Sequence, residues 1–571
     1  MTLVINDTKH DSWSNINWVQ VNKIVNNLQM RIFAAKQQGN LRKLRKLQNL
    51  LLSSKANKLL AVRQVCSINS GKSTTGIDKR VYATPKERMD LAKKLYEIPL
   101  NEWKPSPVKR IYIRKPNGKL RPLGIPTLID RSLQAIVRNA LEPEWEATFE
   151  PSSYGFRKGR SAHDAIAYLH NVCNSKSSKH WILDADINDC FDNISHEFIL
   201  DQMLNFPAKP LVSKWLKAGY VDNRVFHDSS MGTPQGEVIS PLLANIALNG
   251  LEKAIGIKRS KRGEVKSDFT LIRYADDFII ACKSKESAME IKETVNKWLK
   301  LRGLSLSPDK TRIVHLKDGF DFLGFNVRLY KTKTSNKLLI KPSLESQIRI
   351  KRKLKMAWKD CLGSPVKKAV NKINLILKGW ANYYRIGVSS RIFAQIDYYN
   401  WIRQYKFAKR THPKKSWKWI KAKYWGKLSP NKNDKWVFGC LTTGNFMYKL
   451  SWTPIKRHLM VKGNNSPFDP NLQEYWRKRN NTSYSKTIAT TSSMKIAKKQ
   501  DYICPVCGNH LYTTGESIEV HHLIYKSNGG ASTYGNLMLL HTECHKQVHA
   551  LNWDKDKLTK RLNSYTLQKS A

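Results

Sequence analysis

Acidic residues break into two otherwise apolar runs of this chain. One reads Leu183-Asp184-Ala185-Asp186-Ile187-Asn188-Asp189-Cys190-Phe191-Asp192 and the other Arg273-Tyr274-Ala275-Asp276-Asp277-Phe278-Ile279-Ile280. Their apolar flanks predict buried strands, where an isolated carboxylate is costly. Two hard divalent cations would offset the repulsion among such acids, and they prefer oxygen ligands. Paired ions of that kind serve phosphoryl transfer: one activates an attacking hydroxyl and the other steadies the leaving group. A lone Asp-Asp in a hairpin is usually an ordinary turn. Here apolar strands flank the pair, and a second acidic strand end stands upstream at Asp186.

The rest of the pattern predicts an α+β chain. Residues 18 to 66 have helical spacing, with Val21, Ile24, Val25, Leu28, Ile32 and Phe33 followed by Leu41, Leu44, Leu47, Leu50 and Leu51. Alternation from Val108 and a turn at Asn117-Gly118 predict a hairpin. A strand is expected over His180 to Ile187, then a helix to about Leu204, then another from near Ser240. A second hairpin is expected from Phe269 to Arg273 and Phe278 to Cys282, turning at Asp276-Asp277. Strands and helices do not alternate regularly, which argues against a doubly wound sheet. Lys and Arg number 99 against 45 Asp and Glu, a net charge of +54. Such an excess points to a polyanion, and nucleic acid releases counterions as its phosphates are neutralised. The 17 Trp argue against a small basic packing protein. Six cysteines are scattered and three cluster with histidines, which suggests a reducing compartment and one metal site. Met1 to Trp13 has no apolar or Arg-rich leader pattern, and no stretch reaches the roughly 20 apolar residues of a membrane helix. A soluble protein of the cytoplasm, bacterial or organelle-encoded, with no signal or transit peptide and no membrane partner, is the expectation.

Tyr274-Ala275-Asp276-Asp277 resembles the catalytic hairpin of reverse transcriptases, and Asp186 matches that family's first metal-binding aspartate. The resemblance implies Mg²⁺ at Asp186, Asp276 and Asp277. Arg114-Lys115-Pro116-Asn117-Gly118-Lys119-Leu120-Arg121 resembles the hairpin that grips the incoming triphosphate, through Lys115 and Arg121. Tyr154-Gly155-Phe156-Arg157-Lys158-Gly159-Arg160-Ser161 resembles the next template-side motif. Phe191 stands where the family has its steric gate against a ribose 2′ hydroxyl; it is also a reasonable core residue. In Gly232-Thr233-Pro234-Gln235-Gly236-Glu237, Gln235 matches the residue that supports the nascent base pair. Glu237 departs from the group II pattern, which usually has a second Gly. An acid beside a triphosphate opposes polymerase activity unless it points away or pairs with a cation, and Glu237→Gly is expected to leave activity equal or higher. Leu306-Ser307-Pro308-Asp309-Lys310-Thr311 and Phe322-Leu323-Gly324-Phe325 match the last palm motifs. Behind them, Leu377-Lys378-Gly379-Trp380-Ala381-Asn382-Tyr383-Tyr384-Arg385 and Trp401-Ile402-Arg403 resemble the maturase domain of group II intron proteins. Rings interleaved with cations suit unpaired bases and phosphates, although about half of them are expected to pack as core. Arg410 to Ser416 is a basic loop. Arg457, His458, Lys462 and Trp476-Arg477-Lys478-Arg479 are candidate nucleic-acid contacts.

At the C-terminal end, Cys504-Pro505-Val506-Cys507 and His541-Thr542-Glu543-Cys544 offer two ligand pairs at metal-knuckle spacing, which suits structural Zn²⁺. Between and after them, Glu519-Val520-His521-His522, Asn536, His545 and His549 resemble the HNH nuclease motif. That resemblance implies His522 as general base, Asn536 as the residue holding the hairpin, and His521, His545 and His549 on one catalytic divalent ion. His545 or His549 serving the structural zinc is the alternative. The resemblance covers nearly the whole chain. It implies a right-hand polymerase over 76–342 behind an N-terminal helical extension, 1–75. A thumb or maturase domain over 343–430, a DNA-binding region over 431–500 and a ββα HNH domain over 501–571 follow. The implied activity is that of a multifunctional group II intron protein with intron RNA, target DNA and dNTPs as partners. A splicing maturase with a silent polymerase, or a free-standing reverse transcriptase, are the alternatives; oligomeric state stays open.

Overall fold

The computed structural model describes residues 12–114, 118–174, 177–260, 263–331, 335–485 and 491–567. The helical spacing over residues 18 to 66 gives three helices. Asn17 caps α1 (Trp18–Gln37) by accepting from the Gln20 amide, and Asn40 caps α2 (Leu41–Ser53) by accepting from Lys43. Between them Gly39 takes φ +69, a left-handed turn that costs glycine nothing. α3 (Lys55–Arg63) follows, and a Thr84–Glu87 capping box opens α4 (Pro85–Glu97). α1, α2 and α3 pack around α5 (Leu128–Glu146), which is buried almost all round.

The first expected hairpin forms from β1 (Val108–Arg114) and β2 (Leu120–Ile125). Lys115 and Asn117, at its turn, lie outside the described residues. Next come α6 (Ala162–Val172) and β3 (Trp181–Asp186). β4 (Tyr220–Asp222) and β5 (Val225–His227) extend the first hairpin into a sheet ordered β2-β1-β4-β5, with β4 parallel to β1. β6 (Thr270–Tyr274), β7 (Asp277–Cys282) and β8 (Arg312–His315) join β3 in an antiparallel sheet ordered β6-β7-β3-β8. This sheet is covered on both faces. Leu183, Leu271 and Ile280 enter one hydrophobic core, while Ile182, Ile272 and Ile279 enter another. Burial on both sides explains why these strands read as unbroken apolar runs.

Two boundaries differ from the sequence reading. The helix expected to reach Leu204 splits into Cys190–Asn193 and His196–Gln202, because Ser195 caps a new start by accepting from Phe198. The second hairpin turns at Ala275-Asp276, and Asp277 is already strand, paired with Tyr274. Helices Leu344–Asp360, Val366–Tyr384, Ser390–Thr411 and Trp417–Tyr424 supply much of the second core. At the end of the chain, strands Ile518–His522 and Leu537–His541 pair antiparallel and lead into helix Thr542–Ala550, a ββα unit. This unit shares its core with the N-terminal helices. The Arg63 guanidinium lies 3.1 Å from Cys544 Sγ and 3.3 Å from Glu516, and Arg88 pairs with Glu543 at 3.1 Å. Gln547 donates to the carbonyls of Ser14 and Ile16.

Candidate active sites

Asp186 ends β3 directly opposite Asp277, the first residue of β7. Asp276 occupies the β6–β7 turn beside them. Ala275 takes φ +60 there, a conformation a non-glycine residue holds only when its surroundings impose it. The Tyr154 amide donates to Arg273 at 2.9 Å, and a Cβ on Gly155 would stand 2.4 Å from the Ala275 nitrogen. That close approach clamps the turn and accounts for the glycine. Arg273 is fully buried and donates to Asn245 and to the Ala275 carbonyl.

The acids outnumber the cations that face them. Burial, then the charges of Asp184, Asp186 and Asp276, push the Asp277 carboxyl up to about 8. Burial and Asp186 also raise Asp276, against the pull of Arg121 and Lys310. Lys310 reaches Asp186 at 2.6 Å, and Arg312 reaches Asp184 at 2.9 Å. An all-oxygen donor set in which burial and neighbouring carboxylates oppose ionisation of Asp276 and Asp277 fits hard divalent cations, which would relieve that repulsion. Lys310 belongs to a quoted motif, but its contact with Asp186 had no signal in the sequence.

Phe191 packs edge-on against Phe156, with ring centroids 6.2 Å apart. It borders a cavity of about 430 Å³ with Arg110, Pro122, Asp192, Gly232 and Pro234. The Gln235 carbonyl accepts from the Gly124 amide at 2.7 Å, tying its loop to β2, the strand that carries Arg121. Glu237 points away from the cavity beside Phe191. It is 7% exposed, accepts from Ser240 at 3.0 Å and faces Gln134 and Asp130 of α5. Burial pushes its carboxyl up to about 8. It is a neutral, inward-facing residue near pH 7, so its charge does not oppose a triphosphate.

In the ββα unit, the ligand atoms of Cys504, Cys507, His541 and Cys544 lie within 4.8 Å of one another, and all four residues are buried. Three sulfurs and an imidazole fit a tetrahedral metal. A second group gathers His521, His545 and His549. His545 Nε2 lies 3.1 Å from His521 Nδ1 and 3.0 Å from His549 Nε2. Burial, then the neighbouring imidazoles, hold His521 down at about 4, so it is neutral and able to ligate. Both His545 and His549 therefore group away from the cysteines. Glu519, which the sequence reading left without a role, sits 2.5 Å from His545 Nδ1 and orients that ring. Its signal was the two-residue strand period that puts it on one face with His521. His522 lies outside the cluster, with Nε2 3.2 Å from Ser532 Oγ. Asn536 accepts from the Ile524 amide and donates to the Ile524 and Ala531 carbonyls, closing the loop between the strands.

Family models match this chain in four places. They describe an N-terminal domain of reverse transcriptase over residues 13–95, a reverse transcriptase (RNA-dependent DNA polymerase) over 113–327, a group II intron maturase-specific domain over 348–425 and an HNH endonuclease over 504–551. The group II intron-encoded protein LtrA of Lactococcus lactis subsp. cremoris is 32% identical over 432 residues, covering 60% of this chain and 70% of that protein. This chain belongs to the group II intron-encoded proteins. Protein YkfC of Escherichia coli (strain K12) is 36% identical over 263 residues, 40% of this chain and 68% of that one. Maturase-like protein 1 of Euglena gracilis is 26% identical over 377 residues, 65% and 77% of the two chains. A telomerase from Candida albicans superposes with a TM-score of 0.31 at 14% identity, over 56% of this chain and 63% of that one, and nothing is built on so slight a likeness. Reverse transcriptase and HNH endonuclease domains make this group II intron protein a multifunctional enzyme, and its maturase domain makes it a binder of RNA. Among the described residues, no helix is long and apolar enough to cross a membrane.

The maturase stretch of this intron protein divides its rings between core and surface. Trp358, Phe393, Phe407, Tyr424 and Phe438 are buried, and Tyr383 and Tyr384 donate to Leu323 and Ser346. Tyr398 is 66% exposed, and Trp417 and Trp419 are also exposed. Downstream, several candidate nucleic-acid contacts are engaged within the protein instead. Arg457 donates to the Ile386 carbonyl, while His458 and Arg479 both reach the buried Asp164 of α6 at 3.0 Å. Burial opposes ionisation of Asp164, yet His458 and Arg479 hold it at about 2. Trp476 is buried, and Arg477 pairs with Asp501. Charge alone cannot distinguish such an anchor from a phosphate contact. Lys478, whose side chain is 70% exposed, pairs with the similarly exposed Glu474 at 2.7 Å, four residues back on the same helix.

Proposed function

We propose that this protein carries out target-primed reverse transcription of its intron RNA. The observation that supports this most is Asp186 facing Asp277 across β3 and β7 with Asp276 at the adjoining turn. In this reading Asp186, Asp276 and Asp277 would hold Mg²⁺, which would supply Lewis-acid chemistry for the primer 3′ hydroxyl and the leaving pyrophosphate. Lys115 and Arg121 neutralise the triphosphate of the incoming dNTP. Phe191 excludes a 2′ hydroxyl, and Gln235 supports the new base pair. Cys504, Cys507, His541 and Cys544 take Zn²⁺ as a structural staple. His521, His545 and His549 would hold the nuclease's divalent ion, which would supply Lewis-acid chemistry at the scissile phosphate. His522 removes the proton from the attacking water, and Asn536 fixes the loop that aims it. The division of labour follows the chain: an N-terminal extension over 1–75, fingers and palm over 76–342, thumb and maturase over 343–430, DNA binding over 431–500 and nuclease over 501–571. The intron RNA enters one strand of a DNA target, the nuclease nicks the other, and the freed 3′ end primes synthesis. With Glu237 buried against α5, the departure that favoured a silent polymerase no longer argues for one. Primer extension on an RNA template tests the reading. Magnesium-dependent synthesis is expected from the wild type and its loss from Asp276→Asn; unaltered extension by that variant sinks the assignment.

A further inference from the structure

The long maturase helix Ser390–Thr411 carries a row of rings on one face. Tyr398 and Trp401 stand 6.3 Å apart at an interplanar angle of 11°, and Trp401 and Tyr405 stand 6.2 Å apart at 15°. The spacing of three and four residues puts all three on one stripe. Beside the row lies a pocket of about 430 Å³, with Trp401, Tyr398, Trp436 and Tyr448 supplying aromatic walls. Gln404 is part of its lining and is only 6% exposed. Its amide has no hydrogen-bond partner among the described residues. The amide atoms open onto the pocket, where they offer a donor and an acceptor to a ligand with complementary polar atoms.

The charges around the pocket decide what kind of ligand. Asp397 lies in the wall, its carboxylate accepting from the Leu450 and Ser451 amides. Lys449, also in the wall, is paired with Asp434 at 2.7 Å. Asn400 is held through Oδ1 by the Trp358 indole. An acid and a spent lysine do not suit a phosphate. Flat aromatic walls with one free amide suit a neutral, planar group that bears a donor and an acceptor side by side. Lys421, stacked 4.4 Å above the Trp436 ring, supplies a cation at the rim for the backbone attached to such a group.

We infer that this pocket receives one unpaired nucleobase of a bound single strand, stacked on Trp401 and hydrogen-bonded by the Gln404 amide. The inference rests on nucleic-acid binding by the maturase domain and adds the place where a base leaves the stack. Aromatic side chains bind bases whatever their identity, whereas a glutamine amide adds paired hydrogen bonds at the base edge.

The test uses the full chain and a single-stranded decamer of uridines with one central 2-aminopurine, made as RNA and as DNA. A third decamer has an abasic site at that position. Wild-type protein is expected to quench the 2-aminopurine and to prefer it to the abasic site. Trp401→Ala should remove the quenching. Gln404→Leu should weaken binding of the 2-aminopurine decamer about tenfold and leave the abasic decamer unchanged. Because Gln404 makes no hydrogen bond among the described residues, Gln404→Leu should keep the unfolding midpoint, which separates lost binding from lost fold. Tighter binding of the RNA decamer assigns the base to RNA, and the reverse assigns it to DNA; either supports the pocket. If all decamers bind with strong salt dependence but both variants quench and bind as wild type, the pocket is wrong while nucleic-acid binding stands. If no decamer binds at low salt, both fall together.

Discussion

Glu237 carries its proton in the folded chain up to about pH 8, whereas the same carboxyl ionises in the ordinary carboxylate range once unfolded. The native state therefore binds more protons across that window, and its stability falls as pH rises through it. Glu237→Gln removes the titrating group and keeps hydrogen-bonding capacity toward Ser240. Its unfolding midpoint should exceed wild type by more at pH 8 than at pH 5, with a stability difference on the order of 2 kcal/mol; equal midpoints at pH 8 would show that the carboxyl is not buried as described. Glu237→Gly is now expected to lower stability by leaving a cavity beside α5, which urea unfolding would measure. Phe191→Ala should raise ribonucleotide incorporation relative to deoxynucleotide by on the order of 10–100-fold, since the missing ring makes room for a hydroxyl. A flat ratio in a nucleotide competition assay leaves Phe191 as a packing residue against Phe156. Asp186, Asp276 and His521 could be picked out as candidates because each stands in a short local motif, although the meeting of Asp186 with Asp277 comes only from the pairing of β3 with β7. His458 and Arg479 were misread because their partner, Asp164, is hundreds of positions away and is fixed only by the fold.

Elements decide how firmly those residues are aimed. The β6–β7 turn strains Ala275 into the left-handed region, and it persists because Gly155 and the Tyr154 amide pin it from the side. The hairpin and its apolar flanks could be read from sequence, but its turn was placed one residue late. The pairing of Tyr274 with Asp277 depends on the neighbouring loop, which local pattern does not contain. In the nuclease unit a single amide does similar work. Asn536 makes three hydrogen bonds across the loop joining the two strands. Asn536→Ala should cut strand nicking on the order of tenfold or more while metal content stays at the wild-type level, because the cysteine knuckle is held separately. Loss of metal in that variant would mean that the loop and the knuckle form one unit.

At the scale of the whole molecule, the nuclease unit is built onto the N-terminal helices. Arg63 of α3 is 4% exposed and joins Trp18, Glu516 and Cys544, and the Asn22 side chain donates to the Cys507 carbonyl. Nothing in the sequence linked these positions, since Arg63 looks like any helix cation until Cys544 is packed against it. Arg63→Met should therefore reduce hydrogen-exchange protection both in α1 and in the ββα unit, and should speed metal loss to a chelator. Unchanged exchange in α1 would mean that the shared core does not couple the two regions. In the proposed function one chain holds two separate chemical centres that act in succession. The most direct measurement follows strand-specific nicking and cDNA synthesis on a target duplex, with the intron RNA bound, for His522→Ala and Asp277→Asn side by side. His522→Ala should leave the target strand uncut and give no target-primed cDNA, yet extend a primer annealed in advance; Asp277→Asn should nick at the wild-type rate and extend nothing. Nicking by His522→Ala at full rate, or extension by Asp277→Asn, would contradict the account.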